Sequence, residues 1–196
     1  MKVCLITYAD IYFRSVLYSF EKSKINFCKN NSIDFIFESI ERSNEKLSWL
    51  KIDLLLKYIE RYDAIIISDY DSVVSNKNYD IQSLLKTHRE NADCICSGLS
   101  HDFKLLGCSI WYNTPNTINI LKRIRQLKIE GDISFLAEEA VFNEVIKTYS
   151  LQMVIDNNVN CIYGIHDIKN PFLLHYASVG NPFKIKTLEQ KRLHSN

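Results

Sequence analysis

Apolar and polar positions alternate between two periods along this chain. Lys2 to Tyr8 is a short apolar run that ends in polar residues. From Phe13 to Asn30, Val16, Leu17, Phe20, Ile25 and Phe27 recur among lysines at helical spacing, which predicts a helix there. Asp34 to Glu38 reads as the next strand, so the chain opens strand, helix, strand, as nucleotide-binding α/β domains do. Trp49 to Arg61 predicts a second amphipathic helix with Leu50, Leu54, Leu55, Tyr58 and Ile59 on its inner side.

That helix delivers the chain to the most informative stretch, Ile65-Ile66-Ile67-Ser68-Asp69-Tyr70-Asp71-Ser72-Val73-Val74. A run of β-formers without polar alternation suits a central parallel strand. It breaks onto two carboxylates at i and i+2, where ligands of open α/β sheets bind, beyond the carboxyl ends of strands. Two such carboxylates can face one divalent cation, which takes oxygen ligands. Asp at a strand end also bonds local backbone amides, so a simple turn is the competing reading.

Further elements are expected at Tyr79 to Arg89 (helix), Ala92 to Ser97 and Lys104 to Asn113 (strands), and from Pro115 to about Lys128 (helix). A helix over Ser134 to Thr148, late strands at Leu151 to Ile155 and Phe172 to Tyr176, and a basic closing segment over 182–196 complete the pattern. No linker or repeat divides the 196 residues, so residues 1–196 are expected to form one α/β domain.

Charge and cysteines narrow the classes. With 24 basic and 23 acidic residues the net charge is +1, which gives no field to attract nucleic acid or an anionic membrane. The six cysteines mostly sit in apolar runs, and Cys94-Ile95-Cys96 alone is a weak zinc signal. Reduced core thiols, a cytoplasmic location and no transmembrane segment or signal peptide are therefore expected. No glycine-rich phosphate loop appears, which argues against P-loop and dinucleotide-binding proteins.

The chain resembles the metal-dependent GT-A glycosyltransferases, which carry a D-x-D motif. It is most similar to the galactosyl/mannosyltransferase group of the Golgi mannan type and its small viral relatives, and more loosely to the glycogenin-like group. Trp49 to Tyr58 looks like the helix before that family's aspartate strand, and Tyr62 to Asp71 like the strand itself, with Tyr70 in place of the commoner small residue. Leu106 to Thr114 is similar to an acceptor-side strand that ends in Asn, Glu138 to Asn143 to the acidic opening of the next helix, and Phe172 to Tyr176 to a late strand whose histidine is a third metal ligand. Together these segments span roughly residues 1 to 186.

The resemblance implies a single GT-A (Rossmann-like) domain with a mixed, mostly parallel sheet, and transfer of a hexose or deoxyhexose from a UDP- or GDP-sugar to a glycan or glycoprotein hydroxyl. It implies Mn²⁺ or Mg²⁺ on Asp69, Asp71 and His175, although a histidine satisfied by backbone at a strand end is the other reading of His175. Thr7 and Tyr8 end the first strand, where a nucleotide's base and ribose would approach, and Tyr8 offers a ring face for stacking. Lys51, Arg14 and Lys184 are candidates for the diphosphate, Lys184 from a flexible tail closing over the donor. Glu138 and Glu139 could act at the reacting centre or lie in a solvated first helical turn. A noncatalytic nucleotide-sugar or glycan-binding module and a nucleotidyltransferase remain as alternatives, and a further domain or an associated glycosyltransferase could complete the acceptor side.

Overall fold

The computed structural model describes residues 1–40, 49–98, 103–130, 137–177 and 179–194, with the side chains of 128–130 and 137–138 outside that description. Six strands form the main sheet: β1 (Val3–Ala9), β2 (Asp34–Ser39), β3 (Ala64–Ser68), β5 (Cys94–Gly98), β6 (Lys104–Tyr112) and β7 (Met153–Ile155), in the order β2-β1-β3-β6-β5-β7. β6 pairs antiparallel with both β3 and β5, and the other pairings are parallel. The expected mixed, mostly parallel α/β sheet is what the chain forms.

Both faces of this sheet are covered, which explains the unbroken apolar runs. Cys4, Ile6, Ile65, Ile67, Cys94 and Trp111 pack against α3 (Leu50–Tyr58), α5 (Pro115–Glu130) and α6 (Ala137–Thr148). Their neighbours Val3, Leu5, Ala64, Ile66, Ile95 and Ile110 pack on the opposite face with α2 (Tyr18–Asn30) and α4 (Ile81–His88). The two-residue period of a strand does this sorting. All six cysteines are buried and unpaired.

Three departures from the sequence pattern matter. The helix expected over 13–30 is two: α1 (Ile11–Val16), capped by the Asp10 carboxylate accepting from Phe13 N–H, and α2. The chain bends at the fully buried Leu17, where the Arg14 carbonyl accepts from the Tyr70 hydroxyl at 3.4 Å. Second, the segment after Asp71 leaves the main sheet: β4 (Ser72–Val74), β8 (Cys161–Ile162) and β9 (Leu173–His175) make a small sheet in the order β4-β9-β8.

Third, the closing segment is a helix, α7 (Pro182–His194), rather than a loose tail. Asn181 Oδ1 accepts from Phe183 and Lys184 N–H, Pro182 sits in the first turn, and Ile185 and Glu189 are buried. Residues 134–136 of the helix expected over 134–148 and 195–196 of the basic segment lie outside the described residues. Among the described residues no helix is long and apolar enough to cross a membrane.

Candidate metal centre and nucleotide cleft

β3 ends at Ser68, and its ladder to β6 continues one step further through Asp69 N–H donating to Gly107 O at 2.7 Å. The chain then turns, with Ser72 N–H donating to Asp69 O, and β4 begins. Antiparallel pairing sets Ser72 opposite His175, and Tyr176 N–H donates to Asp71 O. The small sheet thus carries His175 to the aspartates.

One ligand atom from each of Asp69, Asp71 and His175 lies within 4.8 Å of the others. His175 Nε2 is 3.1 Å from Asp71 Oδ1 and 3.8 Å from Asp69 Oδ2. His175 Nδ1 lies 3.0 Å from Asn160 Oδ1; because an amide oxygen accepts, this contact favours the tautomer with the proton on Nδ1. In the neutral ring Nε2 then has only a lone pair to offer a carboxylate, and two electron-pair donors 3.1 Å apart call for a cation between them. A proton or a metal ion can take that place. Burial lowers the His175 pKa, but Asp71 more than offsets it and holds the imidazole above its usual range. Burial likewise raises Asp71, yet the facing imidazole holds it below the usual carboxylate range. Two carboxylates and an imidazole fit Mn²⁺ or Mg²⁺, with the nitrogen favouring Mn²⁺.

Gly107 makes room for the ring. A Cβ there would stand 2.8 Å from His175 Nδ1, closer still to Cε1, and 3.1 Å from Asp69 Oδ2. Asp69 is also held from the α3 face of the sheet, by Tyr8 Oη donating to Oδ1 at 2.8 Å and by buried Lys51 Nζ at 3.4 Å from Oδ2. Lys51 is therefore not a solvated helix lysine. From the opposite face comes Lys24, fully buried, whose Nζ donates to Asp69 O at 2.9 Å, Thr7 Oγ1 at 3.3 Å and Tyr70 O at 3.4 Å. Burial pulls its pKa down to about 8, against Cys108, Asp71 and Asp69, which raise it.

A cleft of about 220 Å³ adjoins the site, lined by Tyr8, Ala9, Asp10, Phe13, Asp69, Tyr70 and Asp71. A larger cavity, about 570 Å³, lies between the loop at 163–171 and Arg192 and contains none of the three ligand residues. The smaller cavity is the one next to the chemistry.

The other residues singled out in the sequence fall into different places. Tyr8 borders the cleft with its hydroxyl committed to Asp69, and Thr7 is fully buried under Lys24. Arg14 turns away, making a two-bond pair with Glu21 at 2.9 and 2.8 Å and lying 3.9 Å over the Phe37 ring. Tyr70 is directed inward as well: its hydroxyl donates to the buried Glu21 at 2.7 Å. A bulky residue between the aspartates is accommodated because it packs into the core.

Lys184 is exposed on the first turn of α7, beside Phe183, whose ring meets Tyr12 of α1 edge-on at 6.2 Å. Glu139 is buried and its Oε1 accepts from Leu106 N–H at 3.0 Å, so it braces β6 next to Gly107. The side chain of Glu138 lies outside the described residues.

Lys24, Glu21, Gly107 and Asn160 were not recognised from the sequence. Phe20, Lys24, Phe27 and Cys28 share one buried stripe of α2, so a lysine inside an apolar stripe was a readable signal for the first. A glycine inside a strand pattern marks close approach, which Gly107 provides. Asn160 carries no comparable signal.

No protein-family model and no curated protein matches the sequence. Solved structures do match. A glycosyltransferase involved in glycosylation of the major capsid of PBCV-1 superposes with a TM-score of 0.81 at 15% identity, covering 97% of this chain and 100% of that one. The galactosyltransferase LgtC, solved with donor and acceptor sugar analogues, gives 0.63 at 10% identity over 95% of each chain. A mutant of Drosophila β1,4-galactosyltransferase 7, solved with manganese, UDP-Gal and xylobiose, gives 0.52 at 14% identity over 95% of this chain and 74% of that one. The chain has the GT-A glycosyltransferase fold, and Asp69 and Asp71 are a candidate D-x-D pair.

Proposed function

We propose that this chain is a metal-dependent glycosyltransferase that moves a sugar from a nucleoside-diphosphate sugar to a hydroxyl of a glycan or glycoprotein. The observation that carries the reading is the convergence of Asp69, Asp71 and His175 at the carboxyl end of a central strand, in this fold and beside an open cleft.

Asp69, Asp71 and His175 would hold Mn²⁺ or Mg²⁺, and such an ion neutralises the charge that gathers on a departing diphosphate. The chain's own groups prepare the place. Tyr8 and Lys51 fix the Asp69 carboxylate, and Asn160 keeps the His175 lone pair turned toward Asp71. Phe13, Ala9 and Tyr8 border the space for the nucleoside, and Lys184 on α7 is the basic group proposed for its phosphates. Glu138 and Glu139 are the candidates for a role at the acceptor side, Glu139 with one carboxylate oxygen already accepting from Leu106 N–H. Residues 1–196 would act as one catalytic unit, and the six buried free thiols support a reducing, cytoplasmic compartment.

The test is a screen of UDP- and GDP-sugars with Mn²⁺ for release of nucleoside diphosphate. Release that requires Mn²⁺ and disappears in Asp71→Ala is expected. Binding of nucleotide sugar with no release, with or without acceptor glycans, would replace the enzyme by a binding module. Release of pyrophosphate from a nucleoside triphosphate would mark nucleotidyl transfer instead.

A further inference from the structure

The turn that presents the two carboxylates, Asp69-Tyr70-Asp71, and the strand after it are contacted by three side chains of one helix. From α2, Glu21 takes the Tyr70 hydroxyl at 2.7 Å, Ser23 Oγ accepts from Val74 N–H at 3.1 Å, and Lys24 donates to the carbonyls of both Asp69 and Tyr70. These residues cover the turn and the strand that follows it.

Lys24 is the unusual member. Placing an ammonium out of water is costly unless charge and hydrogen bonds compensate it. Here three acceptors surround Nζ: Asp69 O, Tyr70 O and Thr7 Oγ1. An ammonium has three donors and no acceptor, so it can serve all three at once, which a hydroxyl cannot. Two of those acceptors are successive backbone carbonyls lying between the metal-binding side chains.

We propose that Lys24 is a positioning residue for divalent-cation binding: its ammonium draws the Asp69 and Tyr70 carbonyls inward, and this turns the Asp69 and Asp71 carboxylates together toward His175. The proposal rests on the reading of these three residues as a metal site. It goes beyond that reading by assigning the ligand geometry to a lysine on another element that touches no ligand side chain in the described contacts.

The experiment uses the full chain and Mn²⁺ alone, with affinity read by titration of the free-ion electron paramagnetic resonance signal. Lys24→Met keeps the stem and removes the donors; Lys22→Met makes the same change at an exposed position of α2. Removing a supporting group beside a metal site typically weakens binding about 10- to 100-fold, and Lys24→Met is expected to do so. Lys22→Met is expected to leave affinity unchanged.

Simple electrostatics predicts the opposite sign, because deleting a nearby positive charge should tighten cation binding. Unchanged or tighter Mn²⁺ binding in folded Lys24→Met therefore overturns the proposal while native binding leaves the metal site standing. No Mn²⁺ binding by the native chain overturns both. If Lys24→Met does not fold, Lys24→Gln is measured, with a smaller loss expected because an amide keeps two donors. Failure of both to fold makes Lys24 a residue of the fold and also overturns the proposal.

Discussion

The six-stranded sheet carries buried apolar side chains on both faces, whereas the three-stranded sheet is made of strands of two or three residues that bury Val73, Val74, Leu173 and Leu174 and also carry polar contacts to the aspartates. Ile65, Ile66 and Ile67 exemplify the first, and Asp71, His175 and Asn160 the second. Burial of alkyl groups is non-directional and tolerates small displacements. A ligand set does not, because it needs each donor atom in place. The large sheet therefore holds most of the core and presents Asp69, the small sheet brings His175 to the aspartates, and substitutions should separate the two.

The largest separation is expected from Asp71→Asn. It keeps the shape of the side chain but removes the charge that faces His175, and Mn²⁺ binding should fall below detection while the thermal unfolding midpoint moves little. Calorimetric titration alongside a thermal melt checks both. Ile66→Ala does the converse. Ile66 is fully buried in the central strand, so it should lose about 2–5 kcal/mol of stability in a urea titration. Molecules still folded should bind Mn²⁺ as before.

Gly107→Ala tests the seam between the sheets. Its Cβ would collide with the His175 ring, so Mn²⁺ affinity should drop about 10- to 100-fold, with little change in melting. Unaltered affinity would mean that the ring can retreat, and the site would be looser than its contacts suggest.

The smallest effect concerns pH. Burial pushes the Cys28 thiol up to about 12 from an ordinary 9. Above pH 9 the unfolded chain sheds this proton while the folded chain keeps it, so the contribution is present below pH 9 and lost as pH rises toward 12. Cys28→Ala should make the alkaline loss of stability shallower, by at most about 1.4 kcal/mol per pH unit. Mn²⁺ affinity at neutral pH should not change.

The same contrast governs what was legible in the sequence. Long apolar runs announce themselves by period, so β1, β3 and β6 and the helices between them were found within a few residues, apart from the bend at Leu17 that divides the first helix into two. Asp69 and Asp71 were legible because they end such a run. Strands as short as Cys161–Ile162 carry no periodic signal, and their pairing is fixed only in three dimensions. The contacts of Lys24, Tyr8 and Asn160 with the site span 45, 61 and 15 positions, and no local pattern encodes them. The closing helix was misread from its basic charge, although Asn181-Pro182 was a start signal in plain view.

The pairing of Ser72 with His175 has a temporal consequence. Asp69 and Asp71 are synthesised before the third donor, which follows roughly a hundred residues later, after α4, α5, α6 and the Asn160 turn. Until then the carboxylates have no imidazole opposite them. One step of slippage in that three-residue ladder would present Leu174 instead, since neighbouring strand residues face opposite ways. Capture of an ion at this site would thus be a late event that reports correct registry, and metal loading could be read as a clock for the completion of folding.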